Sequence, residues 1–330
     1  MGNSKVDIKE NEIVRYDEQL LPILLVDRSK TSKDGPFKNI IWGTDNYEAR
    51  GAGYGEFDEI TVESVTGRNG SVVRPRVDKS KAEQEHRSRD KAEVFTAAWI
   101  CNKQNNLVDN AWFGIEGVFN KETEEGWITS TEKITFPDKP GKTWQDYVKD
   151  TRLEMACGEA PYLVSRYNVI TGEEIAVQER IGLLDRKLRV ICENVDNEKE
   201  WLEWCKIAYQ NIYGFEWQGD NLLIAREAMI YTFFDYFQLK FGKKPTKAQT
   251  LKIAEIVSWN LWQMDGLKGV VPGSCCDKVN KEYDLFGGET ETVHKCQGCE
   301  KNDITKHNGI YCMIRDWSAK KAIRFIDLIK

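Results

Sequence analysis

The second half of the chain alternates between long apolar runs with helical spacing and short apolar runs that end in a polar residue. The segment NEKEWLEWCKIAYQNIYGFEW (197–217) predicts an amphipathic helix followed by a strand. DNLLIAREAMIYTFFDYFQLKF (220–241) predicts a long buried helix, and LKIAEIVSWNLWQMDGL (251–267) predicts a further helix and strand. A strand is also predicted at the start of RLEMACGEAPYLVSRY (152–167). Strands that alternate with helices favour an α/β fold with a parallel sheet.

The first half of the chain is less regular. LLPILLVDRS (20–29) and IIWGTDNY (40–47) are apolar runs that we interpret as buried strands. KSKAEQEHRSRDKAEVF (79–95) predicts a charged, solvated helix or a partly disordered segment. FTAAWICNKQNNLVDNAW (95–112) predicts a helix with Thr96 as a possible N-cap, and residues 120–150 predict a polar loop.

Composition places the chain among ordinary globular proteins of a reducing compartment. Of its 330 residues 41% are hydrophobic and 30% are charged. The sequence contains neither an apolar run of about 20 residues nor the apolar core of a secretory signal, so we expect a cytoplasmic protein with no membrane contact. The net charge of −6 indicates that this chain alone does not supply most contacts to a nucleic-acid backbone. Nine cysteines in such a compartment favour metal binding over disulfides.

Three predicted strands end in residues suited to a ligand. Gly158 follows the first strand and would let the backbone approach a ligand, and Glu154 beside it could bind an amino group. Glu216 ends the second strand, where an acid commonly binds ribose hydroxyls, and Trp217 could pack on an adenine face. Asp265 ends the third strand and could accept a hydrogen bond from an adenine amino group. Each feature alone also fits an ordinary core strand, a surface acid or a turn.

Taken in order, these segments resemble the S-adenosylmethionine-binding half of amino-specific DNA methyltransferases, the N6-adenine type of restriction–modification systems. EMACGEAPYL is similar to that family's Asp-Pro-Ala-Cys-Gly-Ser-Gly motif, IYGFEWQGDNLLIAREAMI to its strand–acid–helix motif, and SWNLWQMDGL to its Asn-Ile-x-x-x-Asp-Ala-Leu strand. DKAEVFTAAWICNKQNNLVD, upstream, resembles its Gly-x-Phe-Thr-Pro segment, which gives the family's gamma order. The resemblance implies S-adenosylmethionine as cofactor. The residues that it implies for binding are Phe95, Thr96, Glu154, Ala156, Cys157, Gly158, Glu216, Trp217 and Asp265.

The chain also departs from that family. Ala97 stands in place of proline, Glu154 in place of aspartate, and Glu159–Ala160 in place of Ser-Gly. The catalytic Asn/Asp-Pro-Pro-Tyr tetrapeptide occurs nowhere in the sequence, so the resemblance implies a donor site without the groups that hold the extruded base. MIRDWSAKKAIRFIDLIK (313–330) resembles the segment that precedes the catalytic strand in the family. We therefore expect either that a partner polypeptide supplies the missing strands and most DNA contacts, or that residues 1–85 cover that edge of the sheet.

A cysteine- and histidine-rich segment lies at 274–312. Cys296 and Cys299 have the spacing of a zinc knuckle, and a tetrahedral zinc ion needs four such ligands. We predict one structural zinc ion; the alternative is a group of reduced thiols in a long loop. The predicted ligands are Cys296, Cys299, Cys312 and one of Cys275 or Cys276, with His307 in reserve.

The predicted fold is α/β, a partial Rossmann-like methyltransferase sheet with an N-terminal extension and a C-terminal zinc-binding insertion. The expected boundaries are 1–85 for the extension, 86–272 for the cofactor-binding domain, 273–313 for the zinc insertion and 314–330 for a C-terminal strand segment. The expected function is the S-adenosylmethionine-binding subunit of a DNA adenine-N6 methyltransferase. The alternatives are an inactive methyltransferase-like regulator in phage defence or counter-defence, and a zinc-stabilised nucleic-acid adapter. A metal-dependent nuclease is a weaker alternative.

Overall fold

The computed structural model describes residues 9–30, 38–91, 93–283 and 289–329. Residues 1–8 and 31–37 of the expected N-terminal extension lie outside this part of the chain. The helices in it are α1 Glu10–Tyr16, α2 Leu20–Leu25, α3 Val62–Val65, α4 Lys81–Asp90, α5 Ala98–Phe113, α6 Trp144–Lys149, α7 Leu183–Asn194, α8 Glu198–Gln210, α9 Gly219–Phe241, α10 Lys247–Asn260 and α11 Gln297–Lys301. The strands are β1 Asn120–Glu122, β2 Trp127–Thr129, β3 Arg152–Met155, β4 Ile212–Glu216, β5 Leu261–Gln263, β6 Lys278–Tyr283, β7 Glu289–His294, β8 Met313–Asp316 and β9 Lys321–Arg324.

A three-stranded parallel sheet has the order β3-β4-β5. Helices α7 and α8 connect β3 to β4, and α9 and α10 connect β4 to β5. The alternation of strands and helices predicted from the sequence is therefore confirmed, and the fold is mixed α/β with one parallel sheet. Because the strands are parallel, their carboxyl ends lie at the same end of the sheet, and ligands of such sheets bind there.

Helix α9 lies in the centre of the core. Its residues are buried on every side over most of its length, which is typical of a helix enclosed by other elements rather than one at the surface. The guanidinium of Arg226, buried in this helix, donates to the backbone carbonyls of Leu24 and Val26 and to that of Leu261. Arg226 thus joins the chain after α2 to the start of β5, and its charge is fully hydrogen-bonded where water is excluded.

The apolar run at 20–29 forms helix α2, so the prediction of a strand there was wrong. Leu20, Leu21, Leu24 and Leu25 are buried, a spacing that fits one side of a helix, and Pro22 lies in the first turn, where its missing N–H costs nothing. A short continuous apolar run does not distinguish a strand from a buried helix. The run at 40–47 makes a single isolated β-bridge, between Ile41 and Glu59, instead of a strand.

The N-terminal segment packs against β5. The side-chain amide of Gln263 accepts from the N–H of Ile41 and donates to the carbonyl of the same residue, both at 2.9 Å. The amide of Gly219 at the start of α9 donates to the carbonyl of Trp42 at 2.8 Å. This segment therefore contacts β5 through the side chain of Gln263, and β3, at the edge of the sheet opposite to β5, is hydrogen-bonded to β4 alone among the described strands.

Two further predictions for the region before β3 need correction. Residues 120–150 are not one loop, because they contain the β1–β2 hairpin and helix α6. Helix α5 follows Ala97, which makes no side-chain cap, so Thr96 is not the N-cap. The charged run at 79–95 does form a helix, α4, which Ser80 and Glu83 start with a capping box.

The C-terminal part of the chain adds two antiparallel hairpins, β6–β7 and β8–β9. The β8–β9 hairpin, with the residues around it, covers one face of the parallel sheet. The apolar side chains buried there are Phe215, Trp262, Met264, Val271, Cys312 and Ile314. Within the described residues, no helix combines the length and the apolar character needed to cross a membrane.

Candidate ligand cavity and metal centre

The loop after β3 folds back on itself through left-handed backbone conformations. Ala156, Gly158 and Ala160 have φ values of 51°, 52° and 61°. Only glycine adopts this region without steric cost, and strained residues other than glycine are common at ligand sites. The turn aims the N–H of Gly158 at the end of β4, where it donates to Glu216 Oε2 at 2.8 Å.

Glu216 is buried at the carboxyl end of β4. Its second carboxylate oxygen, Oε1, accepts from the N–H of Gln218 at 3.1 Å, so the carboxylate joins the loop after β3 to the start of α9. Burial raises the pKa of Glu216, whereas the two amide hydrogen bonds lower it. Both oxygens retain acceptor capacity, because each has two lone pairs.

Asp265 follows β5 and shapes a tight turn. Its Oδ1 accepts from the amides of Leu267 at 3.0 Å and Lys268 at 3.2 Å, and its own N–H donates to the carbonyl of Val270 at 2.8 Å. The other carboxylate oxygen, Oδ2, lies 3.6 Å from the Lys268 ammonium. The side chain is mostly buried and leaves one oxygen free of backbone hydrogen bonds.

These three strand ends face one cavity of about 980 Å³. Six of the residues predicted for cofactor binding line it: Phe95, Ala156, Gly158, Glu216, Trp217 and Asp265. The indole N–H of Trp217 donates to the carbonyl of Gly43 at 2.9 Å, which fixes that ring at the rim of the cavity. The structure therefore brings together residues that are up to 170 positions apart in the sequence.

Three residues predicted for the same site lie outside the lining of the cavity. Burial raises the pKa of Glu154 well above its ordinary value, and its Oε2 has no hydrogen-bond partner, so this carboxyl is enclosed beneath the loop and does not face a ligand. Cys157 is buried against β4, where its Sγ lies close to Gly214. The carbonyl of Thr96 accepts from the Cys101 thiol. Glu154 departs from the expected role because β3 directs its side chain to the helix-covered face.

A buried charged cluster beside the cavity was not predicted from the sequence. The guanidinium of Arg87 in α4 binds Glu93 and Gln218 and lies 2.8 Å from the carboxylate of Asp220 in the first turn of α9. Lys79 lies 3.3 Å from the same carboxylate. These two cations lower the pKa of Asp220 strongly against the opposing effect of burial. The interpretation of 79–95 as a solvated face was therefore wrong for Arg87.

Two polar atoms of residues that line the cavity have no protein partner. They are Oε1 of Glu93 and Nδ2 of Asn221, an acceptor and a donor in mostly buried side chains. Arg87 binds the other carboxylate oxygen of Glu93 and lies 3.3 Å from Oδ1 of Asn221. Buried polar groups without partners are uncommon in folded proteins.

A second site is formed by Cys275, Cys296, Cys299 and His307, whose ligand atoms all lie within 4.8 Å of one another. Cys275 Sγ is 3.4 Å from Cys296 Sγ, 3.6 Å from Cys299 Sγ and 3.5 Å from His307 Nδ1. A tetrahedral zinc ion with bonds of about 2.3 Å to sulfur and about 2.0 Å to nitrogen has edges of about 3.5–3.8 Å between its ligands. The separations given are compatible with four ligands of one metal ion, and we call the four residues the Cys₃His cluster.

The cluster closes the two ends of the β6–β7 hairpin. Cys275 precedes β6, Cys296 follows β7, Cys299 lies in α11, and His307 lies in the loop after it. The amide of Asn308 donates to Cys296 Sγ at 3.3 Å. Although desolvation opposes ionisation of Cys296, backbone amides and neighbouring groups outweigh it and lower the pKa of this thiol to about 6. The thiolate is the form that binds metal.

Cys312 and Cys276 lie outside the cluster. Cys312, which we expected to be a ligand, is buried in the apolar core beside the sheet, and its thiol donates to the carbonyl of Gln263 at 3.3 Å. Burial raises its pKa well above the ordinary value. Cys276 is exposed, and its carbonyl accepts from the side chain of Asn308. The reserve ligand His307 thus takes the fourth position.

Comparisons of the chain with protein-family models, curated proteins and solved structures return no match. Function is therefore inferred from the chemistry of the cavity and of the Cys₃His cluster.

Proposed function

We propose that the cavity binds S-adenosylmethionine and that the chain is the donor-binding unit of a DNA adenine-N6 methyltransferase of the restriction–modification type. One observation carries the proposal: Gly158, Glu216 and Asp265, each at the end of a different parallel strand, line one cavity. That is the arrangement expected where a parallel α/β sheet binds a nucleotide-like ligand.

The sheet supports a partial Rossmann-like fold. β3, β4 and β5 are adjacent in chain order, with helical crossovers between them, as in one half of a doubly wound sheet. In the methyltransferase family that the motifs resemble, the strand equivalent to β3 is central and pairs on its other side with the catalytic strand. The unpaired edge of β3 is consistent with the absence of that strand from the described residues.

The lining of the cavity offers a group for each part of the cofactor. Glu216 would accept from the ribose hydroxyls, and Asp265 Oδ2 from the adenine amino group. Phe95 and Trp217 supply apolar faces for the adenine ring. The volume of about 980 Å³ lies at the upper end of the range of about 300–1,000 Å³ for small-molecule sites, which leaves room for the methionine part.

The acceptor chemistry is assigned to a partner polypeptide. The chain has no Asn/Asp-Pro-Pro-Tyr tetrapeptide, the element that would hold an extruded base. Among the described strands β3 pairs with β4 alone, and its side chains Leu153 and Met155 are 42% and 72% exposed. Parallel strands are rarely left uncovered, so a partner strand along β3 would complete the sheet. The same partner would supply most DNA contacts, since this chain has a net charge of −6.

The absence of the tetrapeptide also favours a second function. A chain that binds the donor and never transfers the methyl group would act as a regulatory protein in phage defence or counter-defence. Methyl transfer to DNA in the presence of the partner distinguishes the two.

The Cys₃His cluster is assigned a structural zinc ion. Three thiols and one imidazole fill all four tetrahedral positions, so no open position is left for a substrate or water. The zinc ion would hold together a segment that carries few buried apolar side chains.

Calorimetric titration with S-adenosylmethionine tests the proposed function. Wild-type protein is expected to bind, and Glu216→Ala is expected to weaken binding about tenfold or more, because a lost hydrogen bond to a charged group costs about 1.5–3 kcal/mol. Glu116→Ala, which removes an exposed acid outside the cavity, is the matched control and should bind as the wild type does. Wild-type protein that gives no heat of binding at millimolar ligand would exclude this function.

A further inference from the structure

The turn that follows β5 forms one wall of the ligand cavity. Asp265, Gly266, Leu267 and Lys268 all line it. The turn is closed internally by the amide of Gly269, which donates to the carbonyl of Asp265 at 2.8 Å. A displacement of this turn would therefore move the carboxylate assigned to the adenine group.

The turn is held from outside by residues 310–312. The amide of Val271 donates to the carbonyl of Ile310 at 2.8 Å, and the amide of Cys312 donates to the carbonyl of Gly269 at 3.0 Å. A β-bridge also pairs Val270 with Tyr311. Residues 269–271 and 310–312 thus form a short antiparallel contact, and one of its strands continues directly from the cavity wall.

Residues 310–312 are joined in turn to the Cys₃His cluster. The amide of His307 donates to the Tyr311 hydroxyl at 2.8 Å. The amide of Ile310 donates at 3.0 Å to the hydroxyl of Ser274, the residue before Cys275. Two of the four cluster residues are therefore joined to residues 310–312. His307 is joined by one hydrogen bond, and Cys275 is joined through its peptide bond to Ser274 and the hydrogen bond that Ser274 accepts.

The segment around the cluster has little apolar packing of its own. Of the four ligands only Cys296 is fully buried, and Cys299 is exposed. The apolar core beside the sheet includes Val271 and Cys312, and none of the described side chains between 273 and 309 belongs to it. In a segment of this kind the free energy of metal binding becomes free energy of folding.

We propose that metal in the Cys₃His cluster positions the Asp265–Gly269 turn, and that zinc and the cavity ligand consequently bind with positive cooperativity. Zinc fixes the chain around Cys275 and His307, these two positions hold residues 310–312, and residues 310–312 hold the turn. The statement about the turn stands on these hydrogen bonds alone, whereas the statement about ligand affinity rests on the proposed function.

Hydrogen exchange of the turn tests the first statement without any ligand. Zinc is removed from the wild-type protein with a chelator and then restored. Exchange of the amides in residues 264–271 is expected to rise about tenfold on removal and to return on restoration, because they lose their outer support. Amides of β4 serve as the internal control and should stay protected. Cys299→Ser should reproduce the effect and Cys276→Ser should not. Unchanged exchange in 264–271 after verified zinc loss would overturn the proposal.

Affinity measurements test the cooperativity. S-adenosylmethionine is expected to bind about tenfold more weakly to the zinc-free protein, and by linkage it should tighten zinc binding in a chelator competition by the same factor. Equal affinities with and without zinc would overturn the cooperativity. If the zinc-loaded wild type binds no S-adenosylmethionine but its turn still responds to zinc, the proposed function fails and the positioning role stands.

Discussion

At the scale of single residues, the two acids at the strand ends use their carboxylates differently. Glu216 accepts backbone amides of two different loops, one at each oxygen, and so fixes the loop after β3 to the start of α9. Asp265 uses one oxygen for the amides of its own turn and keeps the other near Lys268. A substitution at Glu216 therefore alters the positions of two loops, whereas one at Asp265 alters a single turn.

The Cys₃His cluster gives a prediction about individual ligands. Wild-type protein purified without added metal is expected to contain about one zinc ion per chain by elemental analysis. His307→Ala and Cys299→Ser should both reduce this content strongly, because each removes one of four tetrahedral ligands. Cys312→Ser should retain the zinc and lose about 1 kcal/mol of stability, since it places a hydroxyl in an apolar core.

Cys276→Ser is the control for this experiment, because Cys276 is exposed and lies outside the cluster. Loss of zinc from Cys312→Ser together with full zinc in His307→Ala would contradict the ligand set. A substoichiometric wild type that zinc supplementation does not change would contradict the site itself.

At the scale of elements, the sequence predicted what local spacing determines. The helices α8, α9 and α10 have strong apolar periodicity, and β4 and β5 follow α8 and α10. These two strands and the acids at their ends were therefore found. Helix α2 was missed because four leucines and a proline do not specify a period. The choice of His307 over Cys312 could not be made, since it depends on how residues 310–312 pair with the chain after β5. Arg87 binds Asp220 across more than 130 positions, which no local pattern reveals.

Two buried carboxyl groups make the packing of α1 dependent on pH. Glu10 in α1 and Glu227 in α9 are both buried, and neither carboxylate oxygen of Glu227 has a hydrogen-bond partner. Burial raises the pKa of Glu10 to about 8 and that of Glu227 well above its ordinary value, to which the nearby Glu10 contributes. The folded protein thus holds protons that the unfolded chain releases near pH 4.5.

The stability that these two carboxyls contribute is therefore expected to be fully present below that pH and to be lost as the pH rises through about 8. Glu227→Gln removes one of the two acids, so its melting temperature should exceed that of the wild type by a few degrees at pH 9 and match it at pH 5. Thermal unfolding followed by circular dichroism at both pH values measures this. Glu116→Gln, at an exposed position, should show no such difference. A wild type and a Glu227→Gln variant that respond equally to pH would show that these carboxyls do not limit stability.

At the scale of the whole molecule, β3 and β5 are the outer strands of the parallel sheet. The N-terminal segment contacts β5 through the side chain of Gln263, and β3 pairs with β4 alone among the described strands. A groove of about 580 Å³ runs beside Leu153, between β3 and the C-terminal hairpin. The exposed side chain of Leu153 lines this groove. No described residue of 1–85 belongs to a strand that pairs with β3.

The isolated chain is expected not to methylate DNA. Without the Asn/Asp-Pro-Pro-Tyr tetrapeptide it has no group to hold the target amino group, even when S-adenosylmethionine is bound. The measurement is transfer of labelled methyl groups to mixed-sequence DNA, alongside the mass of the protein in solution.

Met155→Lys tests the proposed partner contact at β3. In the isolated monomer it should change stability by less than about 0.5 kcal/mol, because Met155 is exposed. With the partner present it should weaken association and methyl transfer, because Met155 projects from one face of the sheet and the lysine charge would be buried where the partner covers that face. Ile128→Lys, equally exposed but on the β1–β2 hairpin, is the control and should leave both intact. Robust methylation by the isolated monomer would show that these 330 residues hold a catalytic centre of their own, and the assignment of catalysis to a partner would be wrong.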